Sequence, residues 1–304
     1  MKLSLHNDIL PKKATVVLGV SGGRDSMALC HALLKQRPDL TIIPAHVDHG
    51  LRFSSTEDAE FVEGMMARWE LPCETYKPRA PKSGNIEAWG REKRYEFFTK
   101  LIKKHKADLI LTAHHQDDDV ETLIMHLLRG TRVKGLSGMQ LQREKLVRPL
   151  LFTPRSEINE YIEANEIPFR EDPSNADENY TRNFLRNKVV PVLTHVYPDF
   201  PQRWQGQKDY WLELQAYLES QAQAFLNEHL TEEGLARHHY RELPYPVRGT
   251  VLELWFRQST GQRVQESSSL NRWDEAILNW HSRKKTEWTD GQFLVMSKGW
   301  AKLS

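Results

Sequence analysis

Short apolar runs alternate with segments of helical period along the first half of the chain. The runs cover residues 16–20, 41–47 and 107–113, and a less apolar segment at 72–76 is a further candidate for a short strand. The first three runs are mainly apolar without regular polar alternation, as expected of strands buried on both faces. Apolar residues recur every three or four positions after residues 26 and 55, and again over 85–105 and 117–129. This order predicts an α/β fold, a parallel sheet with helices on both faces.

The pattern changes in the last third of the chain. Helical periodicity dominates from residue 197 onward, in segments such as DYWLELQAYLESQAQAFLNEHL and RGTVLELWFRQST. A chain of 304 residues also exceeds the usual size of one domain. We therefore predict a first domain over 1–196 and a smaller all-α domain over 197–304.

Two glycines and two serines lie between the first predicted strand and the first predicted helix, in the sequence SGGRDS at 21–26. The first N–H groups of a helix lack intrahelical partners and carry partial positive charge, which favours an anion. Gly22 and Gly23 let the backbone approach phosphate oxygens, while Ser21 and Ser26 add hydroxyl donors. The pattern matches neither the P-loop nor the dinucleotide-binding motif. It predicts an anion-binding turn, with an ordinary capped turn as the alternative.

Two further polar clusters follow predicted strands, DHGLR at 48–52 and HHQDDDVET at 114–122. Open parallel sheets bind ligands at the carboxyl ends of their strands, so these clusters should lie near the SGGRDS loop. Asp118 and Glu121 share one helix face, and such a pair suits Mg²⁺ or an ammonium group. The alternative is a helix start whose acidic residues complement the dipole.

Basic residues at helical spacing occur in two other segments. Arg91 and Arg94 lie three apart in the predicted helix 85–105, where a surface pair of Arg91 with Glu87 is the alternative interpretation. Arg182 and Arg186 lie four apart before a proline, which suits phosphate contact. The alternative interpretation of Arg182 and Arg186 is that they lie at a helix end, where basic residues complement the helix dipole.

Composition excludes several classes of protein. No apolar run reaches the roughly 18 residues that span a bilayer, and the first residues lack a signal-peptide core, so we expect a cytoplasmic protein without membrane contact. The two cysteines, Cys30 and Cys73, form no C-x-x-C motif and are expected to be packing residues. A net charge of +1 gives no indication of a nucleic-acid partner by itself.

The SGGRDS loop resembles the signature of the PP-loop ATP pyrophosphatases at every fixed position. Further segments resemble tRNA(Ile)-lysidine synthases over roughly the first two-thirds of the chain. These segments are AHVDHGLR, NIEAWGREKRYEFF, ADLILTAHHQDDDVET, LLRG followed by GLSGM, VRPLL and REDPSNADENYTRNFLRN. The resemblance implies an adenine nucleotide α-hydrolase-like PP-loop domain followed by a helical tRNA-binding domain.

The resemblance also implies an activity, that of a ligase forming a carbon–nitrogen bond. The expected reaction joins free L-lysine to C2 of the cytidine at the first anticodon position of an isoleucine tRNA with a CAU anticodon. ATP first adenylates the C2 oxygen, and the lysine ε-amine then displaces AMP to give lysidine. The tRNA thereby changes from methionine to isoleucine identity. Expected cofactors are ATP and Mg²⁺, and a homodimer is left open.

Residue roles follow from the matching positions of the family. The expected ATP-binding residues are Ser21, Gly22, Gly23, Arg24, Asp25, Ser26, Ala45, His46, Val47 and Asp48. The expected catalytic residues are Asp25, Arg94, His114 and His115, and Asp25 is also the expected Mg²⁺ ligand. Asp118 and Glu121 are expected to bind lysine, and Arg182, Asn183 and Arg186 to bind tRNA. Asp25, His114 and His115 remain candidates for the general base.

The chain departs from the family in two respects. Asp119 stands where the family often has glutamine, which raises the prospect of altered Mg²⁺ or lysine affinity. The further C-terminal domain of longer members is expected to be absent. Three rival functions stay open: a tRNA 2-thiocytidine synthase-like enzyme, a glutamine-dependent amidating ligase and a non-catalytic nucleotide sensor. The first would need cluster-binding cysteines and the second an ammonia source.

Overall fold

The computed structural model describes residues 1–50, 55–81, 86–171, 181–262, 264, 267–281, 284–289 and 291–304. The end of the DHGLR cluster, Asn85 and residues 172–180 lie outside the described residues. Two compact units are present, one formed by Met1–Met125 with Gly138–Gln205 and the other by His126–Ser137 with Gly206–Ser304. The predicted boundary between residues 196 and 197 falls inside the first unit.

Helices and strands alternate through the first unit. The α-helices of the described residues are α1 (Arg24–Gln36), α2 (Ser55–Arg68), α3 (Ile86–His105), α4 (Gln116–Leu128), α5 (Val133–Leu136), α6 (Arg155–Ala164), α7 (Thr181–Phe184), α8 (Val190–Val196), α9 (Phe200–His229), α10 (Arg237–Glu242), α11 (Tyr245–Thr260) and α12 (Ser267–Asn279). A π-helical turn, Leu185–Val189, separates α7 from α8. Among the described residues, no helix is both long and apolar enough to cross a membrane.

The first unit contains a six-stranded sheet in the order β3-β2-β1-β4-β6-β5. Its strands are β1 (Thr15–Gly19), β2 (Thr41–Val47), β3 (Glu74–Tyr76), β4 (Leu109–Leu111), β5 (Gln142–Arg143) and β6 (Leu146–Val147). Neighbouring strands are parallel except for β5, which pairs antiparallel with β6. The predicted parallel sheet is confirmed, and its four predicted strands form the contiguous run β3-β2-β1-β4.

Strand β1 is buried on both faces because successive side chains point to opposite sides. Val16 and Leu18 pack into a core with α1 and α6, while Val17 packs with Phe97 and Phe98 of α3. This explains the unbroken apolar run in the sequence. Cys30 is part of the first core, where burial raises the pKa of its thiol, and it contributes packing as expected.

The prediction that the second domain is all-α is wrong. The second unit is rich in helices, but it also contains a five-stranded antiparallel sheet in the order β7-β8-β11-β10-β9. These strands are β7 (Leu230–Thr231), β8 (Gly234–Ala236), β9 (Lys285–Thr289), β10 (Gln292–Met296) and β11 (Trp300–Leu303). They are two to five residues long and partly exposed, so they leave little apolar periodicity in the sequence.

Aromatic residues form the centre of the second unit. Trp273 and Trp288 contact each other with ring centroids 4.2 Å apart, and Phe256 stacks on Trp273. Beside them, the fully buried Tyr240 donates its hydroxyl to Asp274 Oδ1 at 2.7 Å, and Arg248 Nε donates to the same oxygen at 2.9 Å. Buried polar groups are stable only when paired, so this network is expected to contribute to stability.

Tyr240→Phe removes the hydroxyl that donates to the buried carboxylate of Asp274 and leaves Arg248 as its other side-chain partner among the described residues. We expect the free energy of unfolding to fall by about 1–3 kcal/mol, measured by urea denaturation. Tyr217→Phe is the control, because Tyr217 is 59% exposed and its variant should unfold like the unaltered protein. Equal stability of the two variants would contradict a stabilising role of the Tyr240 hydroxyl.

Candidate active site at the carboxyl edge of the parallel sheet

The SGGRDS loop closes on itself through its two serines. Ser26 Oγ donates to the carbonyl of Gly23 at 2.9 Å and accepts from the N–H of Ser21 at 3.1 Å. Ser21 Oγ accepts from the N–H of Gly23 at 3.3 Å. Helix α1 begins directly after Gly23, whose missing side chain cannot cap the first-turn N–H groups. Gly23 therefore leaves the helix-start donors without a side-chain cap, as an anion-binding turn requires.

Contacts behind the loop fix its position. The carbonyl of Gly22 accepts from the N–H of Arg170 at 3.0 Å. Arg24 donates to Asn159 and Glu171 at 2.7 and 2.8 Å, and its guanidinium lies over the ring of Phe169. The Arg24 side chain thus anchors the loop to the segment around residue 170.

Strand β2 lies beside this loop because Gly19 of β1 pairs with Ala45. The carbonyl of Ala45 accepts from the N–H of Val20, and His46 Nδ1 is 2.9 Å from the carbonyl of Val20. Val47 pairs with Tyr76 of β3. The three residues expected to contact adenine therefore form the sheet edge next to the loop.

Asp48 follows directly after β2, and its carboxylate stabilises the local turn. Oδ1 accepts from the N–H of Gly50 at 2.8 Å, and Oδ2 is 2.7 Å from Lys77 Nζ. Although burial acts to raise the pKa of Asp48, these contacts hold it below its usual value.

His115 connects the phosphate loop to the acidic cluster. Its side chain is 2% exposed, and Nε2 lies 3.6 Å from Asp25 Oδ2 and 3.5 Å from Asp118 Oδ2. Its Nδ1 is 3.8 Å from Asp117 Oδ1. Burial opposes protonation of the ring, but the three carboxylates outweigh it and raise the pKa of His115 to about 9. A positively charged His115 therefore draws carboxylates of α1 and α4 together.

The adjacent His114 has the opposite character. Burial is the largest influence on its ring, and it lowers the pKa of His114 to about 3 despite the nearby Asp118. Its Nδ1 is 2.9 Å from the hydroxyl oxygen of Thr112. His114 is thus neutral at pH 7, whereas His115 is charged.

The two carboxylates expected to bind lysine lie against the two arginines expected to bind tRNA. The sequence did not predict this contact. Arg182 Nη2 and Arg186 Nη2 donate to Asp118 Oδ1 at 3.1 and 2.9 Å. Arg182 Nε donates to Glu121 Oε2 at 2.8 Å, and Arg186 Nε donates to Glu121 Oε1 at 2.6 Å. We call these four residues the Arg–carboxylate cluster. Asn183 lies between the two arginines in the sequence and is partly buried.

The remaining expected residues take different positions. Asp119 is buried and accepts from the N–H of Met139 at 2.6 Å, so its carboxylate holds the turn at residue 138. Arg94 lies on α3 and is solvent-exposed. Burial of the His49 ring, together with the nearby positive charge of Arg94, lowers the pKa of His49 to about 4.

Sequence reasoning missed two residues at this edge. The ring of His49 contacts Trp89 of α3, with centroids 5.8 Å apart, and so joins the loop after β2 to that helix. Arg148 is 6% exposed and donates to the carbonyl of Gln140 at 2.6 Å. It lies close enough to contribute to the lowered pKa of His114. The sequence could have indicated Arg148, because it is a charged residue inside the otherwise apolar segment VRPLL.

Residues 2–193 match the PP-loop domain family. The chain belongs to this family. The PP-loop domain is also similar to curated relatives named tRNA(Ile)-lysidine synthase. The Bacillus subtilis relative is 40% identical over 244 residues, which cover 76% of this chain and 51% of that protein.

A second curated relative carries the same name. A tRNA(Ile)-lysidine synthase of Thermotoga maritima is 41% identical over 190 residues, covering 60% of this chain and 46% of that protein. The chain thus spans about half the length of the curated relatives it matches. Among solved structures, the U34-tRNA thiolase NcsA of Methanococcus maripaludis has a TM-score of 0.58 and 18% identity, covering 69% of this chain and 76% of that chain. This likeness supports the PP-loop fold alone.

Gly22→Ala tests the loop of the PP-loop domain. Gly22 has φ of +84°, and a Cβ there would lie 2.9 Å from Val62 Cγ2. We expect the variant to lose about 1–2 kcal/mol of stability and most of the rise in Tm that pyrophosphate causes in the unaltered protein. Differential scanning fluorimetry with and without pyrophosphate measures both effects.

Gly64→Ala is the matched control for this measurement. Gly64 lies inside α2, and a Cβ built there meets no described atom within 4 Å beyond its chain neighbours and the backbone of its own helix. Since alanine favours a helix more than glycine, the control should keep or slightly raise the Tm and keep the pyrophosphate effect. An unchanged pyrophosphate effect in Gly22→Ala would contradict anion binding at the loop.

Proposed function

We propose that this chain uses ATP to join L-lysine to C2 of the first anticodon cytidine of an isoleucine tRNA with a CAU anticodon. The observation that carries the proposal is the convergence of Asp25 of the SGGRDS loop and Asp118 on His115, with Glu121 joined to Asp118 through two shared arginines. A phosphate-binding loop and a cation-binding pair at one sheet edge suit a reaction between ATP and an amine. Membership of the PP-loop family and relatives named tRNA(Ile)-lysidine synthase give further support.

The first step is adenylation of the cytidine. The C2 oxygen attacks the α-phosphorus of ATP, and pyrophosphate leaves. The loop from Ser21 to Ser26 holds the β and γ phosphates, because its backbone donors and the α1 dipole stabilise the charge that develops on the leaving group. Ala45 to Val47 contact the adenine, and the guanidinium of Arg94 stabilises charge beside the reacting oxygen.

Asp25 fits the role of the Mg²⁺ ligand. Its Oδ1 is buried and has no hydrogen-bond partner among the described residues. Within that part of the chain, no group of three His, Cys, Asp or Glu side chains could hold a metal ion by itself. This agrees with the usual coordination of Mg²⁺ in proteins, by one or two carboxylates together with substrate phosphates and water. When bound there, Mg²⁺ would neutralise charge on the phosphates.

The second step is attack of the lysine ε-amine on C2, which breaks the C2–O bond and releases AMP. Asp118 and Glu121 bind the lysine by its positive charge. The amine reacts only when neutral, and with a reference pKa of about 10.4 its deprotonation at pH 7 costs about 4–5 kcal/mol unless a base assists. Asp25, His114 and His115 are the candidates for that base, and burial, which lowers the pKa of His114 to about 3, makes the His114 ring a weak proton acceptor.

Binding of the tRNA involves both parts of the chain. Arg182, Asn183 and Arg186 contact its phosphates, and the region 197–304 contributes a further binding surface. Lys284 and Lys285 support that surface, because their ammonium groups lie over the rings of Trp280 and Phe293. Lysines beside aromatic rings suit a polyanion with exposed bases. The reaction takes place in the cytoplasm, where tRNA and ATP are available.

A label-transfer assay tests the proposed function. The purified protein is given radiolabelled lysine, ATP and Mg²⁺ with an isoleucine tRNA bearing CAU, and with a methionine tRNA as the control substrate. We expect label in the isoleucine tRNA alone, with one AMP formed per lysine transferred. Absence of transfer from a protein that binds both ATP and tRNA would contradict the proposal.

Asp118→Asn tests the lysine site separately. Loss of a charge-assisted contact should raise the lysine concentration for half-maximal transfer by about tenfold or more, with ATP affinity nearly unchanged. Asp117→Asn is the matched control, because it makes the same chemical change one residue away, on a side chain that is 36% exposed. Equal lysine dependence in the two variants would remove Asp118 from the lysine site.

A further inference from the structure

The pair proposed to bind lysine already holds two cations of the same chain. Asp118 Oδ1 accepts from both Arg182 and Arg186, while Asp118 Oδ2 accepts from the N–H of His115 at 3.0 Å. Glu121 Oε1 accepts from Arg186, and Oε2 accepts from both arginines. Every oxygen of the two carboxylates therefore has a donor within the chain.

Burial makes these contacts strong. The Glu121 side chain is 1% exposed and that of Asp118 is 11% exposed, whereas the two arginines are 22% and 27% exposed. Two carboxylates and two guanidiniums leave the Arg–carboxylate cluster without net charge. A lysine ammonium approaching it meets a neutral group of ion pairs, and it can bind strongly only if a guanidinium gives up its place.

The arginines are the more accessible members, and their chemistry suits another partner. A guanidinium binds phosphate through two parallel hydrogen bonds, so a tRNA phosphate competes well with a carboxylate for it. Removing a guanidinium alone would leave a buried carboxylate without its counter-ion, which is strongly unfavourable. Entry of an ammonium group into the same place restores the charge balance.

The backbone that carries the arginines departs from a regular helix. Arg182 lies in α7 and Arg186 lies in the π-helical turn Leu185–Val189, where the N–H of Val190 donates to the carbonyl five residues back. Pro191 has no N–H for a regular helical hydrogen bond and its ring crowds the preceding turn, which accounts for this wider turn. Such π turns are rare and concentrate at functional sites. A return to α-helical geometry would turn Arg186 relative to Arg182.

We propose that Arg182 and Arg186 are built-in counter-ions of the lysine site, and that tRNA phosphates draw them away so that lysine binds tightly only with tRNA present. This inference rests on the proposed function, since it takes Asp118 and Glu121 as the lysine site. Coupling between two ligands is reciprocal, so lysine must tighten tRNA binding by the same factor. The arrangement keeps free lysine out until the acceptor is bound.

The test is equilibrium dialysis with radiolabelled lysine, without ATP so that no transfer occurs. For the unaltered protein we expect lysine to bind about tenfold more tightly with the isoleucine tRNA than without it. Filter binding of the tRNA with and without lysine should give the same factor. Equal lysine affinity in the two conditions would overturn the proposal without the use of any variant.

Variants locate the effect in the arginines. Arg182→Gln should bind lysine about fivefold or more tightly without tRNA, and the factor gained from tRNA should shrink accordingly. Arg182→Lys keeps the positive charge and should stay close to the unaltered protein. Arg68→Gln is the matched control, because Arg68 is exposed in the last turn of α2 and lies outside the residues proposed to bind lysine or tRNA. Each variant is first checked for an unchanged Tm shift with pyrophosphate.

The outcomes separate this inference from the proposed function. Weaker lysine binding by Arg182→Gln would overturn the inference, because the arginine would then hold lysine rather than exclude it, while the lysine site itself would stand. Absence of lysine binding in every condition, with tRNA still bound, would contradict both. Tighter binding in Arg182→Gln together with a reduced tRNA factor would support both.

Discussion

The buried ring of His115 lies between Asp25 of α1 and Asp118 of α4, within 3.6 Å of each carboxylate. A charged group inside a protein is stable only when opposite charges surround it. The carboxylates therefore must approach His115, and α1 and α4 begin side by side at the carboxyl edge of the sheet. The phosphate loop lies at the start of α1, so this ion pair also sets the distance between the loop and the acidic residues.

The Arg–carboxylate cluster adds a second constraint to the same edge. Asp118 takes part in both arrangements, with Oδ2 toward His115 and Oδ1 toward the arginines. A change in the position of either arginine alters the charge around Asp118, and through Asp118 it alters the surroundings of His115 and Asp25. The SGGRDS loop and the proposed lysine site are thus electrostatically connected, which suits the proposed reaction, whose two steps must follow in order.

Sequence reasoning predicted the first unit well and the second incompletely. The strands β1, β2 and β4 leave long apolar runs because both of their faces are buried, and the predicted limits of β2 coincide with the observed ones. The sheet of the second unit left no comparable signal. Trp288 and Leu294 are buried in that sheet, but their neighbours are exposed or half-buried, and such short strands resemble loops.

The sequence by itself determined the local chemistry of the site: a glycine and serine loop at a helix start, two histidines after a buried strand and two carboxylates on one helix face. These follow from residue type and short spacing, which local backbone geometry converts directly into position. Only the tertiary structure decided which charges meet. Arg186 donates to Glu121, which is 65 positions away in the sequence. Burial keeps His114 neutral, whereas neighbouring carboxylates keep His115 positively charged. Such contacts depend on the packing of whole elements, so no local pattern in the sequence carries them.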